Sequence, residues 1–151
     1  MPLKINFTKA EYRILLDVVY LGEWMLTAHD TEEAPEKEKY EDLVQKIYSH
    51  AREMDCESLI EGSKEMNKYF PTREFEEESA AHEFIEAYDD DSFWEELIER
   101  LTQRDVNDLT STMTKEPETV EDYWEIASSI EERYATEFSS NGLRRLKISE
   151  T

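Results

Sequence analysis

The chain has 151 residues, 38% apolar and 36% charged, with 38 Asp and Glu against 17 Lys and Arg and a net charge of −21 at neutral pH. That length predicts one domain over residues 1–151, and an aromatic content of 11% supplies enough bulk for a core, which excludes disorder throughout. The negative field repels phosphate backbones and anionic membranes, excluding direct nucleic-acid binding from the expected functions, and a lone cysteine, Cys56, excludes a disulfide scaffold or a cysteine-rich zinc site.

No run approaches the roughly 18 consecutive apolar residues of a membrane span. Met1 to Phe7 lacks the apolar stretch of a signal peptide, so the cytoplasm is the expected compartment. Leu3, Ile5 and Phe7 alternate with Lys4 and Asn6, which predicts a short strand with one buried face. Thr8 stands three residues before Glu11 in capping-box spacing. The stripe Tyr12, Leu15, Val19, Leu26 then follows a helical period, with Gly22 on the same stripe. A mid-helix glycine costs about 1 kcal/mol of propensity, and close approach of another helix is the expected compensation. Leu16, Val18, Leu21, Trp24 and Met25 widen the apolar surface, the pattern of a central helix packed on several sides.

Asp30 to Glu36, with Pro35 and no apolar period, predicts a loop. A second helix follows, with Tyr40, Leu43, Val44, Ile47, Ala51 and Met54 on one face. From Cys56 to Arg73 the pattern weakens. Leu59 and Ile60 suggest a short helix interrupted at Gly62-Ser63, and Tyr69-Phe70 must leave the helical region before Pro71. Phe75, Ala81, Phe84, Ile85 and Tyr88 predict a third helix over about 75–88. Asp89-Asp90-Asp91-Ser92 reads as a break, with Ser92 and Glu95 as a second capping box opening a helix that carries Phe93, Trp94, Leu97, Ile98 and Leu101. Residues 105–117 are polar, with Pro117 at the end, and read as a loop or frayed turn. The last helix spans about Thr119 to Phe138, and Asn141-Gly142 supplies its exit. Leu146 and Ile148 alternate with charged residues and predict a terminal strand able to pair with the first. The expected fold is therefore mainly α, a compact helical bundle of four or five principal helices, with room for a short two-stranded pairing of the N- and C-terminal segments.

Motifs for chemistry are scarce. The glycines at 22, 62 and 142 form no phosphate-cradling loop, and no cofactor is expected. Leu26, Ile47 and Ser79 precede His29, His50 and His82 by three, so the Glu-x-x-His pair of helical metal sites is absent. Glu78, His82 and Glu86 have the spacing of one helix face, but a solvated row accounts for them better than a metal site. Asp89 to Asp91 lack the alternating ligands and glycine of a calcium loop. Cys56 has no nucleophile motif around it.

The unusual feature is the placement of charge. Glu74, Glu76, Glu77, Glu78, Glu83, Glu86, Asp89, Asp90, Asp91, Glu95, Glu96 and Glu99 lie in one segment without Lys or Arg, bounded by Arg73 and Arg100. Residues 71–110 hold 14 acids and 3 bases, more than half of the net charge in about a quarter of the chain. Such concentration costs stability by self-repulsion and invites a basic protein partner. The expectation is a small binding or regulatory module, which in its sharper form mimics a nucleic acid to inhibit a nuclease or DNA-binding protein. A homo-oligomer stays compatible with the sequence. A helical enzyme or metal-binding protein is the rival, favoured if a cleft gathers His82 or Cys56 with carboxylates.

Overall fold

The computed structural model describes residues 4–29, 35–113 and 119–147. Among them are five α-helices, one turn of 3-10 helix and a two-stranded antiparallel sheet, so the chain is mainly α. Contacts cluster into two units, Met1–Glu86 and Ala87–Thr151.

In the first unit, α1 (Lys9–Thr27) opens on the predicted capping box: Thr8 Oγ1 accepts from the Glu11 amide at 3.2 Å, and the Glu11 carboxylate accepts from the Thr8 amide at 2.7 Å. After the 3-10 turn Pro35–Lys37 comes α2 (Glu38–Tyr48), which packs Val44 and Tyr48 against Tyr12 and Leu16 of α1. The Tyr12 hydroxyl donates to the Ile47 carbonyl at 2.6 Å, and burial pushes its pKa up to about 12. The helix α2 is shorter than its apolar period implies. Ala51 and Met54 fall in a chain of turns ending at Asp55, whose φ is +55°. Ala51 is buried nonetheless, whereas Tyr40 and Leu43 are exposed.

Two expectations for α1 are overturned. A Cβ added at Gly22 would meet nothing within 4 Å, so no helix among the described residues approaches there. Nor is α1 packed on several sides, since Ile14, Val18 and Met25 are 62%, 59% and 56% exposed. Its second apolar face has no cover among the described residues of the first unit.

The weak stretch after Cys56 is a hairpin, not a helix: β1 (Ile60–Ser63) pairs with β2 (Lys68–Pro71) in the register Ile60↔Pro71, Glu61↔Phe70, Gly62↔Tyr69, Ser63↔Lys68. Asn67, at φ +51°, closes the loop between them. Gly62 faces Tyr69, whose ring lies 3.2 Å from where a Cβ at 62 would sit, so the aromatic covers the glycine. Gln45 of α2 caps the outer edge of β2, accepting from the Tyr69 amide at 2.7 Å and donating to its carbonyl at 3.0 Å. A side-chain amide there replaces a third strand.

The third predicted helix is divided. Thr72 caps α3 (Arg73–Glu78), which buries Phe75 completely. Ser79 then turns extended, accepts from the Ala81 amide at 3.1 Å and donates to Asp17 of α1 at 2.7 Å. The same Asp17 oxygen accepts from Arg13 at 2.8 Å, and the Arg13 guanidinium lies over the Phe75 ring. From there α4 (Ala81–Thr112) runs unbroken through Asp89–Ser92 and through 105–112. The predicted break, and the predicted loop over 105–112, are absent because no glycine or proline occurs between Thr72 and Glu116, while the rest of that stretch, 114–117, lies outside the described residues. Asp and Ser cost at most about 0.7 kcal/mol each in a helix interior, too little to stop one without a breaker.

In the second unit, α5 (Val120–Asn141) opens on a Thr119–Asp122 capping box and ends at Gly142, whose φ is +54°. Val106 of α4 and Phe138 of α5 are buried, and the Phe138 ring lies 5.6 Å from that of Trp94 and 5.8 Å from that of Tyr134. Contact between α4 and α5 is made by long side chains. The predicted pairing of terminal strands is not found: Lys4–Thr8 and Leu146–Lys147 form no strand, while Leu3 and Ile148 lie outside the described residues. The sheet comes from mid-chain instead.

Candidate functional site

All twelve acids of the 74–99 segment are exposed. In the first unit, Glu74, Glu76, Glu77 and Glu78 crowd α3, and Glu83 and Glu86 follow one turn apart on α4. In the second unit, Asp89 and Glu96 are seven residues apart on one side of α4, Asp91 and Glu95 are four apart on another, and Asp90 and Glu99 occupy further sides. The carboxylates surround the helix rather than lining one stripe. Among the described residues, two of the twelve are ion-paired: Glu77 accepts from Arg73 at 2.7 Å, and Glu96 from Arg100 at 2.8 Å, each within its own helix. Both cations are the ones that bound the segment. Asp90 accepts from the Trp94 indole at 3.2 Å, so one acid of the Asp89–Asp91 run does a local task that is not capping.

The row Glu78, His82, Glu86 is broken by Ser79-Ala80, which places Glu78 on α3 and the other two on α4. The half-buried His82 ring meets the Tyr20 ring edge-on at 5.4 Å, and its Nε2 is buried without a hydrogen-bond partner. Among the described residues no group of three or more His, Cys, Asp or Glu side chains could hold a metal ion. Cys56 is buried, its thiol lies 3.5 Å from the Met54 carbonyl, and burial pushes its pKa up, away from the thiolate a nucleophile requires.

Among the described residues, clefts open on the surface at two places, and neither is lined by histidine or cysteine. One, of about 560 Å³, runs between the end of α2 and the hairpin and includes Arg52, Glu57, Glu61, Lys64 and Lys68. The other, of about 660 Å³, lies along α5 beside Arg133 and Glu137. The gathering of His82 or Cys56 with carboxylates that would favour catalysis does not occur in either.

Reading 105–117 as a loop hid a polar cluster. Asp105 on α4 accepts from Arg104 at 2.7 and 2.9 Å, from Arg133 at 2.9 Å and from the Tyr134 hydroxyl at 2.5 Å. The Tyr134 hydrogen bond, with the two guanidiniums, holds the Asp105 carboxyl below its ordinary range, and burial raises the Tyr134 pKa. The available signal was the helical spacing of Leu101, Thr102, Asp105, Val106 and Leu109. The cluster joins α4 to α5 and leaves no carboxylate oxygen unengaged, so its role is structural. A carboxylate with a raised pKa sits in the first unit: Glu23, half-buried, is raised by burial, while its hydrogen bond from the Tyr48 hydroxyl at 3.1 Å acts the other way.

Comparison with protein-family models, curated proteins and solved structures finds no match to this chain. Among the described residues no helix is long and apolar enough to cross a membrane.

Proposed function

We propose that this chain is a small acidic binding module whose carboxylates between Glu74 and Glu99 meet a basic surface on a partner protein. The supporting observation is that every one of these acids faces solvent and ten of the twelve have no ion pair among the described residues. Unneutralised charge on a regular helix attracts a basic surface and speeds encounter with it. Because the carboxylates lie on α3 and on several sides of α4, a partner can meet several of them from more than one direction. In the sharper form of the proposal the partner is a nuclease or DNA-binding protein, whose basic groove accepts carboxylates in place of backbone phosphates.

The test reverses Glu76, Glu83, Glu86 and Glu95 to Lys in one variant and Glu36, Glu38, Asp42 and Glu65 in another. All eight are exposed, and both variants change the net charge equally. Capture of partners from native lysate, at low and high salt, should fall with the first set and persist with the second. Attraction of this kind weakens as salt shortens screening to ~10 Å at 0.1 M. Equal effects of the two sets, or capture indifferent to salt, would reduce the acidic segment to a solvated surface.

A further inference from the structure

The hairpin has one edge left open. The Tyr69 amide and carbonyl both bond to the Gln45 side chain, so Tyr69 turns its backbone groups away from β1, and Gly62 opposite it turns its own away from β2. Ile60, two places earlier on β1, points the same way, and its amide is taken by the Cys56 carbonyl at 3.2 Å. The outer edge of β1 therefore offers the Gly62 N–H, the Gly62 carbonyl and the Ile60 carbonyl in a row at strand spacing. The cleft of about 560 Å³ opens beside this strand and is lined also by Ser49, Ala51 and Arg52.

A segment of the same chain begins at that end of the helix pair. Tyr12, early in α1, bonds to Ile47 near the end of α2, and Lys9, the first residue of α1, pairs with Asp55 just before β1. The residues that lead into α1, Lys4 to Phe7, make no hydrogen bond among the described residues, and Ile5 and Phe7 are 67% and 43% exposed. Their alternation with Lys4 and Asn6 is that of a strand with one buried face. We infer that Lys4 to Phe7 is a strap that closes onto β1 as a third strand. Because α1 starts beside Asp55, the segment traced back from Phe7 runs as β1 runs forward, so the pairing is antiparallel. Ile5 then stands opposite Gly62, with each amide donating to the other's carbonyl, and the Phe7 amide donates to the Ile60 carbonyl. The side chains agree with this register. Ile5 and Phe7 join the Tyr69 ring and the core residue Ile60 on one face, while Lys4 and Asn6 stand with Ser63 and Glu61 on the other. Lys4 lies diagonal to Glu61, which has no ion pair among the described residues. A slip by one residue would turn Lys4 and Asn6 onto the core face. The structure shows the strap open; closed, it covers the edge and fills the cleft.

All of these residues belong to the unit Met1–Glu86, and none is an acid of the 74–99 segment. Amide hydrogen exchange of the full chain, resolved residue by residue by NMR at two protein concentrations, tests the closure. The Ile5, Phe7 and Gly62 amides should exchange slower than the Asn6 amide, which faces away from β1, by roughly tenfold or more after correction for sequence. Ile5→Lys with Phe7→Lys should bring Gly62 to the unprotected rate with the circular dichroism spectrum unchanged, since both side chains are exposed while the strap is open. Equal rates for Ile5, Asn6 and Phe7 in the wild type overturn the inference, and so does Gly62 protection that survives in the variant. Protection that grows with concentration gives the edge to the strand of a second copy and equally sinks closure within one chain.

Discussion

Replacing Gly22 with Ala should make the protein more stable. Gly22 is in the interior of α1, and a Cβ there meets no atom within 4 Å. The methyl group adds neither clash nor burial. What changes is the backbone: alanine has fewer unfolded conformations to lose, and glycine in a helix interior is worse than alanine by roughly 0.5–1 kcal/mol. A domain of 60–100 residues shifts its melting temperature by about 4–8 °C per kcal/mol, so a rise of roughly 2–8 °C is expected if Met1–Glu86 melts as a unit. Thermal melts followed by circular dichroism, with urea unfolding as a check on the midpoint, measure it. Had a helix packed closely on Gly22, larger side chains would instead cost about 1–3 kcal/mol by overpacking. An unchanged or lower melting temperature for Gly22→Ala would refute the open-space account.

Glu23→Gln should stabilise the fold at neutral pH, since Gln keeps an acceptor for the Tyr48 hydroxyl without a half-buried charge. A raised folded pKa means that the folded state holds the proton more tightly. The contribution is therefore full below the unfolded value of about 4.3 and is lost as pH rises through the folded value. Urea midpoints across that window should fall with pH in the wild type and less so in the variant, and identical slopes would discard the assignment. Asp105→Asn should cost of order 1–2 kcal/mol by weakening bonds to Arg104, Arg133 and Tyr134. Here the folded pKa is depressed, so the wild-type advantage holds above the unfolded value of about 3.9 and disappears as pH falls through the folded value. An advantage equally large at pH 2 would contradict it.

Local signals were legible where a few neighbouring residues settle the outcome. Thr8 with Glu11 marks the start of α1, Thr119 the start of α5, and Gly142 its end, because capping needs only groups within one turn. The same logic misled at Ser92. Its spacing to Glu95 matches a cap, yet a cap only helps a helix that has somewhere to begin, and α4 was never interrupted. The hairpin was missed for a related reason. Ile60 and Phe70 are strand formers on either side of a turn, but the ladder sets Ile60 against Pro71 and Glu61 against Phe70, and Gln45, outside the hairpin, completes the edge.

For the candidate site, the sequence by itself determined which acids crowd together and that no cation stands among them, since both follow from order along the chain. Only the tertiary structure decided that these acids are exposed, four on α3 and eight around α4, that Glu78 is parted from His82, and that among the described residues one apolar face of α1 is covered while Ile14, Val18 and Met25 on the other are exposed. Burial depends on which distant segment packs against a helix, and an apolar stripe in sequence is the same whether its partner lies within the chain or outside it.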